Sequence, residues 1–166
     1  FIIKLFITIL FFNNNLYSNS NFQNIDDFGI ISLMYHRFEE NKYPSTNIKI
    51  DDFKEHIKII EQNNIEFINP KDFQNELLNN KLKRKILLTI DDGFLSFYEN
   101  AWPILKEKKI PFILFVSTRE VGAFNYMSWN QIKEISNEKF VEIGNHSHTH
   151  EYLVDESNEL IKKDIE

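Results

Sequence analysis

Cysteine is absent from the 166 residues. The chain therefore has no disulfide, no thiolate metal ligand and no thiol nucleophile. Any transition metal must be held by His, Asp or Glu. Basic residues number 19 against 25 acidic ones, a net charge of −6 with no basic block, which argues against a nucleic-acid partner. Glycine and proline occur four times each, so the few turns they punctuate are informative. The apolar stretch Leu5–Phe12 is too short for a bilayer span, which needs ~20 apolar residues. Behind Lys4 it suits the h-region of a secretory signal, with Ser18 and Ser20 as small residues near a cleavage point and an Asn/Ser-rich segment following. Residues 1–20 are expected to be a signal peptide, the alternative being a buried N-terminal strand. The mature chain is then expected to begin near Asn21, without a transmembrane span, and to act outside the cytoplasm, secreted or periplasmic. The chain begins at Phe1 and stops at Glu166 inside a helix-like pattern with no capping glycine or proline. It is expected to be part of a longer protein, with residues 21–166 forming the N-terminal part of a single domain.

What the chain does contain is an alternation of short apolar runs and amphipathic segments. Ile30–Tyr35 reads as a strand ending in His36-Arg37. Asp51 and Asp52 are N-cap candidates for a helix carrying Phe53, Ile57 and Ile60. Glu66–Ile68 is a short strand, and Asn69-Pro70 opens a helix with Phe73 and Leu77 expected on its buried face. Lys85–Ile90 is the central strand. Asn100 can cap the next helix, with Pro103 in its first turn. Pro111 introduces the strand Phe112–Val116. Ser128 and Gln131 spell a capping box for a helix carrying Trp129, Ile132 and Ile135. Val141–Ile143 is a strand, and a last helix starts near Ser157. No hairpin signal appears, so the strands should be parallel with right-handed crossovers, an α/β fold. Polar residues recur at strand ends (His36, Asp91-Asp92, Ser117-Thr118, His146 to His150), which favours a barrel with its chemistry on the C-terminal rim over an open sheet.

Two of those strand ends carry the chemistry. After Lys85–Ile90, Asp91-Asp92-Gly93 sets two carboxylates beside a glycine that permits a sharp turn. Such a turn is often merely solvated, but two adjacent buried acids are costly without a cation or proton. After Val141–Ile143, Gly144 leads into Asn145-His146-Ser147-His148-Thr149-His150. His146 and His150 are close enough to chelate one ion in a helical or tightly turned segment. A His-rich tract can bind metal adventitiously; paired with the acids at parallel strand ends, it points to a catalytic metal site. One carboxylate and two imidazoles leave positions open on Zn²⁺ or a similar ion. The second carboxylate is then free to act as general base in a hydrolysis through a tetrahedral intermediate.

The stretches TIDDG and EIGNHSHTH resemble the first two motifs, T-F-D-D-G and H-[ST]-x-x-H, of the polysaccharide deacetylases (carbohydrate esterase family 4 type). LMYHRF, AWPILKEKKIPFILFV and SWNQIKEI are similar to the branch acting on exported poly-N-acetylglucosamine. The one motif departure is Ile90 for Phe. The resemblance covers roughly residues 30–166. It implies a distorted TIM-like (β/α) barrel, here partial and truncated at the C-terminus. It also implies a metal-dependent hydrolase that removes N-acetyl groups from an amino-sugar polysaccharide. By the same resemblance Asp91 is the base, Asp92, His146 and His150 hold one divalent ion, with zinc favoured, and Ser147 braces the second histidine's loop. His36 lines the mouth of the site or is a satisfied strand-end histidine. His148 falls on a variable position and has no assigned role. The family's later motifs, including an R-x-P segment and a late histidine acid, are not found after His150, so the fragment alone is expected to be inactive. The alternatives are a catalytically inactive carbohydrate-binding relative, against which the retention of both aspartates speaks, and a deacetylase acting on O-acetyl esters.

Overall fold

The computed structural model describes residues 29–78 and 83–166; the expected signal segment lies outside them. The elements are β1 (Ile30–Tyr35), β2 (Arg37–Phe38), β3 (Asn47–Ile48), α1 (Ile50–Gln62), β4 (Glu66–Phe67), α2 (Phe73–Leu78), β5 (Lys85–Ile90), α3 (Trp102–Lys108), β6 (Phe112–Val116), α4 (Trp129–Ser136), β7 (Val141–Asn145) and α5 (Asn158–Ile165). Short 3₁₀ turns at Pro70–Asp72, Thr118–Glu120 and Leu153–Asp155, and a π-helical turn at Phe97–Ala101, fill the connections. All strand pairs among these elements are parallel.

The main sheet runs β1-β5-β6-β7. β1 lies along the whole length of β5, from Ile30 beside Lys85 to Tyr35 beside Ile90. The opposite edge of β5 is shared, with β4 at Lys85–Ile86 and β6 at Thr89–Ile90. From Ile86 onward every residue of β5 is buried, which is why it reads as a continuous apolar run rather than an alternation. β6 shows the alternation of a strand covered more fully on one face, with Phe112, Leu114 and Val116 buried. That face packs under the helices through a relay of aromatic contacts. Ring centroids lie 5.1 Å apart for Phe38–Phe53, 5.9 Å for Phe38–Phe97, 5.6 Å for Phe97–Phe112 and 5.9 Å for Trp102–Phe112. These near-perpendicular and tilted pairs suit the ring quadrupoles.

Local signals were good guides at several helix ends. Phe53, Ile57 and Ile60 are the buried stripe of α1, the Ser128–Gln131 capping box is formed, Asn69 accepts from the Lys71 amide, and Ser157 caps α5. Four expectations are corrected. The N-cap position of α1 is Lys49, with Asp51 and Asp52 inside the first turn, where they favour the helix dipole. Its leading amide, Ile50 N, is satisfied from outside by Glu39 Oε1 at 2.6 Å. Leu77 is exposed and Phe73 only half-buried, because α2 is short and lies at the margin of the sheet. Asn100 does not cap α3; it lies in the π-helical turn and donates to Ser96 O at 2.9 Å. Trp129 opens α4 largely exposed, with only Ile132 and Ile135 facing the core. Among the described residues no helix is long and apolar enough to cross a membrane.

Candidate functional site

β5 and β7 flank β6, so their C-terminal ends stand about 10 Å apart, two strand spacings. Side chains from the two ends can therefore meet across the exit of β6. Asp91 leaves β5 with its amide bonded to Tyr35 O (2.9 Å), which extends the β1 pairing by one residue. Asp92 (φ 73°) and Gly93 (φ 80°) then both take left-handed backbone. Glycine does so without penalty, and aspartate is among the few side chains that tolerate it. The turn is held in place by Gly93 O accepting from Met127 N (2.9 Å) and by Leu95 N donating to Asn125 O (2.8 Å). Phe94 stacks on Tyr126 at 4.8 Å and lies beneath the Arg37 guanidinium at 3.4 Å.

The histidine half begins with a close approach. A Cβ on Gly144 would collide with the Phe115 ring of the neighbouring strand, so β7 can lie against β6 here only without a side chain. Beyond Asn145 the chain is turned, not helical: Ser147 (φ 63°) and His150 (φ 59°) are left-handed. The turn closes on itself through Ser147 N to Asn145 Oδ1 (2.7 Å) and His150 N to Ser147 Oγ (3.0 Å). The exit of β6 supports it from one side, with Ser117 Oγ donating to His146 O (3.0 Å) and the Thr118 and Arg119 amides donating to Ser147 O and His148 O.

The structure brings Asp92, His146 and His150 together. Asp92 Oδ1 lies 3.2 Å from His146 Nε2 and 3.3 Å from His150 Nε2, and the two nitrogens are 3.1 Å apart. Donors arranged tetrahedrally at zinc bond lengths of about 2.0–2.2 Å would stand about 3.3–3.6 Å from one another. Asp92 Oδ1 is buried and, despite those neighbours, makes no hydrogen bond. An unsatisfied carboxylate oxygen between two imidazole nitrogens fits a cation, and the three residues form a possible metal-binding group. Asp91 sits beside them, 7% exposed, its Oδ2 4.0 Å from both His146 Nε2 and His36 Nε2. Its Oδ1 is likewise buried without a hydrogen-bond partner. Burial pushes its carboxyl above the usual range, with the His146 and His36 charges acting against that and Asp92 adding to it.

His36 thus faces Asp91 from the end of β1, while Ser147 touches the backbone of His150. His148 turns away, its Nδ1 2.8 Å from Thr118 Oγ1. The sequence reading missed Asn145 and Asp164. Asn145 Nδ2 donates to Ile165 O (2.7 Å), and Asp164 on α5 accepts from the His148 and Thr149 amides. Asn145 stands directly before the first histidine and could have been flagged as a turn former; Asp164 carries no local signal.

Known proteins resemble this chain in sequence and in fold. The chain is 28% identical over 155 residues to a poly-β-1,6-N-acetyl-D-glucosamine N-deacetylase of Staphylococcus epidermidis, a match covering 85% of this chain and 52% of that protein. The structure of IcaB from Ammonifex degensii superposes with a TM-score of 0.68 at 31% identity, covering 74% of this chain and 54% of that one. The Streptococcus pyogenes deacetylase PplD, solved in complex with acetate, shares the fold at a TM-score of 0.72 and 23% identity, covering 82% of this chain and 64% of that one. These structures share the TIM-like α/β architecture with its parallel sheet. The chain spans about half the length of the curated relatives it matches. The sequence profile described as polysaccharide deacetylase matches residues 78–166, the segment holding both aspartates and all three clustered histidines; the chain belongs to the polysaccharide deacetylase family.

Proposed function

We propose that the protein carrying this chain is a metal-dependent deacetylase that removes N-acetyl groups from a β-linked amino-sugar polysaccharide, poly-N-acetylglucosamine being the substrate class suggested by its relatives' names. In this reading residues 21–166 are the N-terminal part of its catalytic domain, residues 1–20 direct its export, and it acts in the cell envelope or outside it. The observation that carries the proposal is the triangle of Asp92 Oδ1, His146 Nε2 and His150 Nε2, with edges of 3.1–3.3 Å and a second carboxylate beside it.

Asp92, His146 and His150 would hold one divalent ion, zinc by preference, because this set offers one hard and two borderline donors. When bound, the ion would polarise the amide carbonyl and lower the pKa of a neighbouring water. Asp91 is the general base. Its carboxylate, buried next to the ligands, takes a proton from the attacking water as the oxygen bonds to the acetyl carbon. The tetrahedral intermediate then breaks its C–N bond, and the leaving nitrogen gains a proton that balances the one Asp91 took from water, leaving acetate and a free amino sugar. His36, 4.0 Å from the same Asp91 oxygen as His146, helps keep that carboxylate ionised against the cost of burial. Ser147 holds the His150 amide and so the direction of the ring.

The test is acetate release by the intact protein from an N-acetylated β-1,6-glucosamine oligomer, with metal content measured before and after chelation. About one equivalent of divalent metal, and turnover lost on chelation and restored by Zn²⁺, is the expected result. Full turnover in metal-free protein would overturn it. Release from an O-acetylated but not an N-acetylated polymer would overturn the substrate assignment alone.

A further inference from the structure

We infer that Asp164, on α5, is a positioning residue for the metal centre: it clamps the histidine loop in its ligating shape before any ion arrives. The inference rests on the metal reading proposed above.

The loop 146–150 must present two imidazole Nε2 atoms 3.1 Å apart while two of its non-glycine residues, Ser147 and His150, adopt left-handed backbone. That conformation is disfavoured for side-chain-bearing residues and persists only where surrounding bonds over-determine it. The loop's own bonds involve the amides of Ser147 and His150. They leave the two amides between, His148 N and Thr149 N, without a local acceptor. Asp164 takes both. Its carbonyl oxygen accepts from His148 N at 2.8 Å, and its Oδ1 accepts from Thr149 N at 2.9 Å. The neighbouring Ile165 O receives the Asn145 side chain at 2.7 Å. The last turn of α5 therefore grips the loop at three points, opposite the support it receives from Thr118 and Arg119.

The docking of α5 is not explained by apolar packing. None of its residues is fully buried, and Leu160 and Ile165 are about half exposed. Hydrogen bonds to the loop are its principal visible tie, and a carboxylate acceptor makes the Thr149 bond charge-assisted. The loop needs the help most at His150. Its side chain is 55% exposed, against 29% for His146 and 15% for Asp92, so among the described residues its ring has less packing around it than the other two. Backbone held at Thr149 adds to the Ser147 bond at the His150 amide in fixing it.

The experiment measures Co²⁺ and Zn²⁺ affinity of the intact protein by chelator competition, together with the Co²⁺ d–d absorption, which reports ligand geometry. Asp164→Ala should weaken affinity by about 10–100-fold, the range found when groups orienting a metal ligand are removed, and should alter the Co²⁺ band. Asp164→Asn, whose amide oxygen can still accept from Thr149 N, should restore most of the affinity and the native band. A merely structural role would lower thermal stability without this rescue of the spectrum. Wild-type affinity and an unchanged band in Asp164→Ala would overturn the inference. Amide hydrogen exchange on the unmodified, metal-free protein provides a second arm that needs no variant to fold. His148 and Thr149 should be protected, and exchange at the rate of an open loop would equally overturn the clamp. If the wild-type protein binds no Co²⁺ at all, the metal reading fails and this inference falls with it; binding that ignores Asp164 defeats the inference alone.

Discussion

The two halves of the site are built by different means. The acids grow out of the middle of the sheet. β5 has neighbours on both edges, Asp91 is 7% exposed, and the turn that follows is pinned to Tyr35, Asn125 and Met127. The histidines hang from β7, whose one pairing among the described strands is with β6, and their rings become more exposed from His146 to His150. One half is therefore fixed by close packing together with hydrogen bonds, and the more exposed half by hydrogen bonds from β6 and α5. Packed side chains resist displacement in every direction, whereas a hydrogen-bonded loop can be loosened one bond at a time. The proposed base stands in the first kind of environment and the outermost of the proposed ligands in the second.

The sharpest way to test that division is to remove each aspartate's charge in turn. Asp91→Asn should lower turnover by about 10²–10⁴-fold, the usual loss when a general base is removed, while metal content stays at the wild-type level. Asp92→Asn should lower both together, and excess metal should partly restore turnover. Acetate release and elemental analysis read the two outcomes. Rescue of the Asp91 variant by metal would show the roles to be reversed.

The two glycines separate packing from conformation. Gly144→Ala places a methyl group into the Phe115 ring, an overpacking that should cost about 1–3 kcal/mol. Gly93→Ala meets its neighbours, Met127 and Val116, only at ordinary contact distance of 3.8 Å. Its cost should be the left-handed backbone alone, about 1–2 kcal/mol. Urea midpoints of the metal-free variants measure both, and the ordering reverses if β7 simply shifts away from β6 at Gly144.

The smallest expected effect tests whether Asp91 is held against its own stability. Its folded pKa is raised by burial, so the folded state binds its proton more readily than the unfolded chain does. The destabilisation is complete above the raised pKa and fades as pH falls through it. Metal-free Asp91→Asn should therefore melt at a higher temperature than the parent at neutral pH, and the difference should close on acidification. A variant less stable than the parent at neutral pH would mean that the neighbouring His36 and His146 outweigh the burial.

Much of this protein is local in origin. The uninterrupted run Ile86–Ile90 makes a strand covered on both faces. Phe53, Ile57 and Ile60 make a helix stripe, and Ser128 with Gln131 makes a helix start. Each depends on residues within a turn or two of one another, so the sequence by itself determines them. The donor types at the ends of β5 and β7 are legible for the same reason, since a strand end, a turn and a chelating pair all fall within a few residues. Tertiary structure decided the rest. It chose Glu39 rather than Asp51 or Asp52 to satisfy the first amide of α1, left Leu77 and Trp129 in solvent, and set Gly144 against Phe115. It put β6 between the two motif strands at a separation their side chains can bridge. It also brought Asp164 under the histidine loop. These are contacts between segments with no shared periodicity, and they exist only because the sheet aligns distant strand ends and α5 folds back onto one of them.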